Sequence, residues 1–281
     1  MSVRVETTAV GVALMRALEV DVPTRQRLLD DPISGRLLSG WPGLVAKHRP
    51  ARVALGRLAE LAMPGMRGTA VCRTRVVDDW SRSAVADSAA QVAIIGAGLD
   101  TRPYRLAEFA TVPVWEVDLP STQARKRAAL SRAVGTPPAN VRYLPVDLNA
   151  GPPGNALGAA GFDPAAPALV LFEAVAQYLP AASVSAVLDW VGSLAPGSRL
   201  VFTYLPRRVI EQRARGARRY GWLSSFDPGR LAVVLAGHGL VLRDDLGGAD
   251  YPARYPELAG RRLALREIER VALAEVNPAS S

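Results

Sequence analysis

From residue 88 onward the chain alternates short apolar runs with longer stretches of mixed polarity. Gln91-Val-Ala-Ile-Ile95, Pro113-Val-Trp-Glu-Val-Asp118, Val141-Arg-Tyr-Leu-Pro-Val-Asp147, Ala168-Leu-Val-Leu-Phe172 and Ser198-Arg-Leu-Val-Phe-Thr-Tyr204 are each too short for a helix and too apolar for a loop. They predict five buried strands, and Leu240-Val-Leu-Arg243 and Glu269-Arg-Val-Ala-Leu-Ala274 predict two more. The expected fold is therefore α/β, a doubly wound Rossmann-like sheet of seven strands. Residues 1–85 read differently. Val10-Gly-Val-Ala-Leu-Met-Arg-Ala-Leu18 is apolar at helical spacing, and Asp31-Pro32 has the chemistry of a helix start, so this region is expected to be an N-terminal helical cap. The core is expected over 86–281. Within it, the Gly/Pro-rich stretch 149–167 reads as a loop with a short helix, and the basic, aromatic segment 206–230 as a lid insertion.

The first strand runs into Gly96-Ala-Gly98, a turn in which two glycines let backbone approach a ligand. Thr101 stands where a dinucleotide fingerprint has its third glycine, and Asp100 stands at the start of the next helix. A carboxylate there caps a helix but repels a pyrophosphate bound to the same amides. The turn suits a cofactor without phosphates, of which S-adenosylmethionine (SAM) is the obvious one. Asp118 follows Gly98 by twenty residues, at the end of the second strand, where a ribose-binding acid is expected; Glu116 shares its strand face. Asp147 ends the third strand, where an acid can accept from an adenine amino group while the Leu148 amide donates to the ring.

Gly-Ala-Gly-Leu-Asp-Thr-Arg, then Glu-Val-Asp-Leu-Pro, then Pro-Val-Asp-Leu, then Phe172-Glu-Ala-Val-Ala-Gln-Tyr-Leu-Pro180 resembles the leucine carboxyl methyltransferase family. The resemblance extends to Cys72-Arg-Thr-Arg-Val-Val-Asp-Asp79, Gly248-Ala-Asp-Tyr-Pro-Ala-Arg-Tyr255 and Arg270-Val-Ala-Leu-Ala274, so it covers nearly the whole chain. It implies a class I SAM-dependent O-methyltransferase whose product is S-adenosylhomocysteine. The bacterial branch includes enzymes that methylate carboxyl groups of polyketides and other secondary metabolites. One departure concerns the substrate-side wall: Ala174 and Gln177 stand where that branch usually has Gly and Met.

The resemblance also implies that Arg73 binds the carboxylate of the methionine moiety, which suits a guanidinium fork. Arg16 is a second candidate for that carboxylate, and Arg75 reads as a surface ion pair. Glu173, at the end of the fourth strand, is expected to accept from the methionine amine, to orient Arg73 or to cap the next helix. On the acceptor side, Tyr204 ends the fifth strand and Trp222 belongs to the lid. The resemblance places Tyr251, Arg254 and Tyr255 near the acceptor, and an arginine among aromatic rings suits an aromatic acid. A carboxylate acceptor is already ionised at neutral pH, so alignment and exclusion of water suffice and no catalytic base is expected. The two histidines, His48 and His238, read as surface residues. The expected acceptor is thus a small-molecule carboxylic acid. Modification of RNA, or a non-methylating reaction such as a cyclisation, are the alternatives.

Composition refines this picture only at the edges. With 281 residues and 49% of them apolar, the chain can build one full core. No run of eighteen apolar residues predicts a membrane span, so no membrane partner is expected. No basic-then-apolar leader is read at the N-terminus, and Cys72, the one cysteine, forms no internal disulfide. A cytoplasmic location follows as the expectation. The net charge of +8 is almost all arginine, scattered and without a nucleic-acid motif, so no nucleic-acid partner is expected. No metal site is read.

Overall fold

A computed structural model describes residues 3–212 and 220–277. The seven strands are β1 (Gln91–Ile95), β2 (Val114–Asp118), β3 (Val141–Pro145), β4 (Ala168–Phe172), β5 (Arg199–Tyr204), β6 (Leu240–Leu246) and β7 (Arg270–Val276). They form one sheet in the order β3-β2-β1-β4-β5-β7-β6. The first five are mutually parallel, and β7 runs antiparallel to both β5 and β6. The expected sheet is therefore present, with its last two strands where the apolar pattern put them.

Every residue of β1 and β4 is buried, as parallel strands covered on both faces require. Alternation divides them between two cores. Ala93, Ile95, Val170, Phe172, Leu200 and Phe202 face one side, with α9 (Ala181–Gly192) and Leu231–Ala236 packed over them. Val92, Ile94, Leu169, Leu171 and Val201 face the other, against α5 (Met66–Asp87). Most of α5 lies within the part read as a cap, yet Val71, Cys72, Val76, Val77, Trp80 and Ala84 make it a full layer on the sheet.

The rest of the N-terminal region comprises α1 (Val3–Ala17), α2 (Ser34–Leu37), α3 (Gly40–Lys47) and α4 (Arg49–Ala62). α2 begins at Ser34, later than Asp31-Pro32 suggested, and Asp31 Oδ1 accepts from the amides of Ile33 (3.2 Å) and Ser34 (2.9 Å) just ahead of it. Between the strands lie α6 (Arg102–Arg105), α7 (Pro120–Ala133) and α8 (Gly154–Ala159), the last being the short helix expected in the Gly/Pro-rich stretch. After β5 come α10 (Arg207–Gln212) and residues 220–230. Strand order reverses between β1 and β4, so a crevice opens there at the carboxyl ends of the strands, the usual ligand position in such sheets.

Candidate cofactor site and its ion network

The turn after β1 builds one wall of that crevice. The Gly96 and Ala97 amides donate to the Val117 carbonyl at 2.8 and 3.0 Å, which fixes the turn to the end of β2. Gly96 has φ 71°, and a Cβ on it would lie 2.3 Å from Val175 Cγ2, so only glycine fits. Beneath the turn, Glu116 is fully buried and holds the Lys126 ammonium at 2.7 Å, while Lys126 also donates to the Ala97 carbonyl at 3.3 Å. Glu116 thus braces the turn rather than facing a ligand.

Asp118 projects into the crevice. Its Oδ2 accepts from the Gly98 amide at 2.6 Å and its Oδ1 from the Leu119 amide at 2.7 Å. Burial pushes its carboxyl above the usual carboxylate range, against the lowering effect of those two amides. It lines a cavity together with Arg16, Arg73, Gly96, Gly98, Asp100 and Glu173, so these residues, all singled out in the sequence, meet in one place. Asp147 and Leu148 do not line that cavity. Asp147 is exposed and its Oδ1 accepts from the amide and side chain of Asn149, both at 2.9 Å; the Leu148 side chain sits in the sheet core.

A buried ion network forms the floor. Arg73 Nε donates to Glu173 Oε1 at 2.8 Å, and its Nη1 donates to Glu269 Oε2, while Nη2 enters neither contact. Glu173 Oε2 lies 2.7 Å from Nη1 of Arg102, a fully buried guanidinium. Arg102 also bonds Asp78 (2.7 Å) and Asp100 (2.6 Å). Arg105 grips both oxygens of Asp78, at 2.6 and 2.7 Å, and donates to Thr101 Oγ1, which donates to Asp31. Asp31 lies 3.2 Å from Arg16, whose Nη2 donates to the Leu99 carbonyl. Burial opposes ionisation of Asp100, yet Arg102 and Lys126 hold its carboxyl down at about 2. Burial likewise opposes Glu173, and Arg102 and Arg73 outweigh it and lower its pKa. These carboxylates stay charged because guanidinium forks face them.

Arg102, Arg105 and Asp78 were not read as site residues. Their signal was present: Arg102 ends Asp100-Thr-Arg, and Asp78 shares a segment with Arg73. Arg75 behaves as expected, pairing with Asp79 at 3.0 Å and with Glu257 at 3.2 Å on another face of α5.

The residues expected on the acceptor side do not gather at this cavity. Tyr204 does not line the cavity; it is buried, stacks on Phe202, and donates to Asp245 Oδ2 at 2.8 Å. Tyr251, Arg254 and Tyr255 do not line it either. Tyr251 is fully buried in the α5 core, Arg254 lies over the Trp80 ring, and Tyr255 donates to Asp79 beneath the Arg75 guanidinium. Trp222 stacks on Tyr220 and packs toward Leu205, Val209 and Ile268, away from the cavity lining. Of the expected lid, residues 213–219 lie outside the described residues. The rest of the lining comes from Thr8, Ala9 and Val12 of α1 and from Ala174, Val175 and Tyr178 after β4, with Val175 packed against Gly96. Ala174 has φ 57°, the only left-handed non-glycine residue among those described. His48 is exposed, and His238 pairs with Asp189 at 2.6 Å just before the edge strand β6, outside the cavity lining.

The family model for leucine carboxyl methyltransferase matches residues 9–192, which contain every lining residue of this cavity except Thr8. The chain belongs to the leucine carboxyl methyltransferase family. A Frankia alni protein assigned as an S-adenosyl-L-methionine-dependent methyltransferase is 35% identical over 225 residues, 77% of this chain and 76% of its own length. A Mycolicibacterium smegmatis protein with the same assignment is 36% identical over 79% of this chain and 74% of its own. Among solved structures, a Thermobifida fusca protein described as a methyltransferase has a TM-score of 0.58 at 19% identity, covering 86% of this chain and 92% of that one. A DUF574 family protein from Streptomyces avermitilis has a TM-score of 0.55 at 16% identity, covering 87% and 97%. At those identities the structures show a shared fold.

This member of the family is a SAM-dependent methyltransferase, and SAM is its cofactor. The residues present fit that group. Arg73 Nη2 can meet a carboxylate, Glu173 an ammonium, and Asp118 a pair of ribose hydroxyls, and the Gly96-Ala-Gly98 turn lines the same cavity. A site floored by held carboxylates accepts a sulfonium cation and disfavours phosphate.

Proposed function

We propose that the enzyme methylates a carboxylate oxygen of a small-molecule acid. Bound SAM supplies an electrophilic methyl group on sulfur. What the protein must add is alignment of an acceptor oxygen with that methyl and exclusion of water. The observation that carries this reading is the state of the ionisable groups around the cavity. Asp118 is held by the Gly98 and Leu119 amides, and Asp100 and Glu173 are held by Arg102. Asp100 and Glu173, held charged by Arg102 and its neighbours, are poor proton acceptors for an alcohol or phenol, and both oxygens of Asp118 already accept from backbone amides. An acceptor that arrives ionised asks for no proton transfer. Tyr178, Val175 and Ala174 would form the acceptor-side wall, since they line the same cavity as Asp118.

The test is incubation with SAM and a panel of small acids, alcohols and phenols matched in carbon skeleton, read by product mass. The reading expects a gain of one methylene on acids alone. Methylation of the phenols or alcohols with the acids untouched would overturn it.

A further inference from the structure

Most of the large apolar side chains that stand exposed among the described residues lie between Val20 and Met66. They concentrate on two adjoining helices. On α3, Trp41 is 65% exposed and Leu44 lies one turn on; on α4, Leu58 and Leu61 are again one turn apart, and Leu61 is 80% exposed. Residues three apart share a helix face, so each helix turns an apolar stripe to solvent. Large apolar side chains left exposed on two neighbouring helices point to an interaction surface.

Charge says what it faces. Lys47 and Arg57 are exposed beside these side chains. Glu60 is the only carboxylate between Gly40 and Met66, and it is turned inward: its Oε1 accepts from the amides of Gly65 (3.2 Å) and Ala264 (3.0 Å), and its Oε2 is buried. The exposed charges that the two helices themselves contribute are therefore cationic, and the one neighbouring carboxylate that pairs with α4, Asp21, is taken up by Arg49 and Arg52. A second copy docked here by two-fold symmetry would oppose identical cations. An anionic bilayer surface complements both features: headgroups meet the cations, and Leu and Trp side chains enter the boundary with the acyl chains.

We propose that α3 and α4 form a peripheral docking surface for anionic lipid. Among the described residues no helix is long and apolar enough to cross a bilayer. α3 packs against α1, the helix that walls the cofactor cavity, so the docked face lies one helix away from the site.

The experiment is co-sedimentation of the full chain with phosphatidylcholine vesicles, with and without about one third phosphatidylglycerol. Pelleting is expected only with the anionic vesicles and should fall in high salt. The double substitution Leu58→Glu with Leu61→Glu should abolish it, and Arg57→Gln should weaken partitioning about fivefold, the equivalent of about 1 kcal/mol per basic residue at an anionic surface. These side chains are exposed, so thermal melting should be unchanged, and Leu58→Ser provides a milder check. No pelleting with anionic vesicles would overturn the proposal, as would equal pelleting with neutral ones. So would a dimer in sedimentation equilibrium that the double substitution dissolves while lipid binding is absent.

Discussion

Ala174→Gly should make this enzyme more stable. Alanine at φ 57° occupies the left-handed region, where its Cβ crowds the following carbonyl at a cost of about 1–2 kcal/mol. The position is held there by its surroundings. The Ala174 amide donates to Thr203 Oγ1 at 2.8 Å, Thr203 donates to Glu269 at 2.7 Å, and Glu269 accepts from Arg73. The strained residue is thus tied to the group expected to hold the cofactor's carboxylate. Glycine removes the crowding, and the looser unfolded chain takes back about 0.5–1 kcal/mol. The net expectation is a gain of about 0.5–1 kcal/mol, or about 1–3 °C in midpoint for a chain of this size. Thermal melting by circular dichroism, with a urea titration to confirm an unchanged slope, reads it. Ala174→Val serves as the opposite perturbation and should lose at least about 1 kcal/mol, because a branched Cβ is worse still at this φ. A glycine variant less stable than the parent, or a valine variant equal to it, would refute the reasoning.

Arg73→Ala should weaken SAM binding in calorimetry by about 1.5–3 kcal/mol or more, and Arg75→Ala should leave it nearly unchanged, because only Arg73 lines the cavity; equal effects would mean that the face of α5 is misassigned. Gln177 is buried with its Oε1 unpartnered, so Gln177→Met should raise stability by about 1 kcal/mol in urea unfolding, and a loss would show that the amide has a partner the account omits. Asp100 is held at about 2 against an ordinary 3.8, so the stability it contributes is present above pH 4 and lost as pH falls from about 4 to about 2. Asp100→Asn should therefore cost about 2 kcal/mol at pH 7, and parent and variant should converge across that acid window; a gap that persists at pH 2 would contradict the assignment.

The parts of the site legible in the sequence are those set by local chain geometry. Gly96 and Gly98 are dictated by the turn itself, and Asp118 by its place at the end of a strand hydrogen-bonded to that turn. Arg73 and Arg75 were told apart by the family resemblance, and the helix then turns them about 200° from each other. The sheet was legible because strands buried on both faces read as apolar runs. What escaped depends on contacts between distant segments. Arg102 takes its partners from α5 and from Glu173 as well as from nearby Asp100. Tyr255 and Arg254 carry the residue types of an acid-binding pair, but Asp79, Arg75 and Trp80 of α5 engage them in packing. Tyr204 ends its strand as expected, yet Asp245 on β6 draws its hydroxyl away from the crevice. Nothing in a single chain pattern distinguishes a tyrosine that lines a pocket from one that closes a core.

The carboxylate assignment is tested most directly by the alkali lability of the product. The enzyme would be incubated with SAM radiolabelled in the transferred methyl group and with the acids that gain mass, and the product treated with mild base. The account predicts that the label leaves as volatile methanol, because a methyl ester hydrolyses, and that His48→Ala and His238→Ala keep turnover within about tenfold of the parent, a barrier change under about 1.4 kcal/mol. Label retained in an alkali-stable methyl ether, or in a methylated nucleoside, would contradict it.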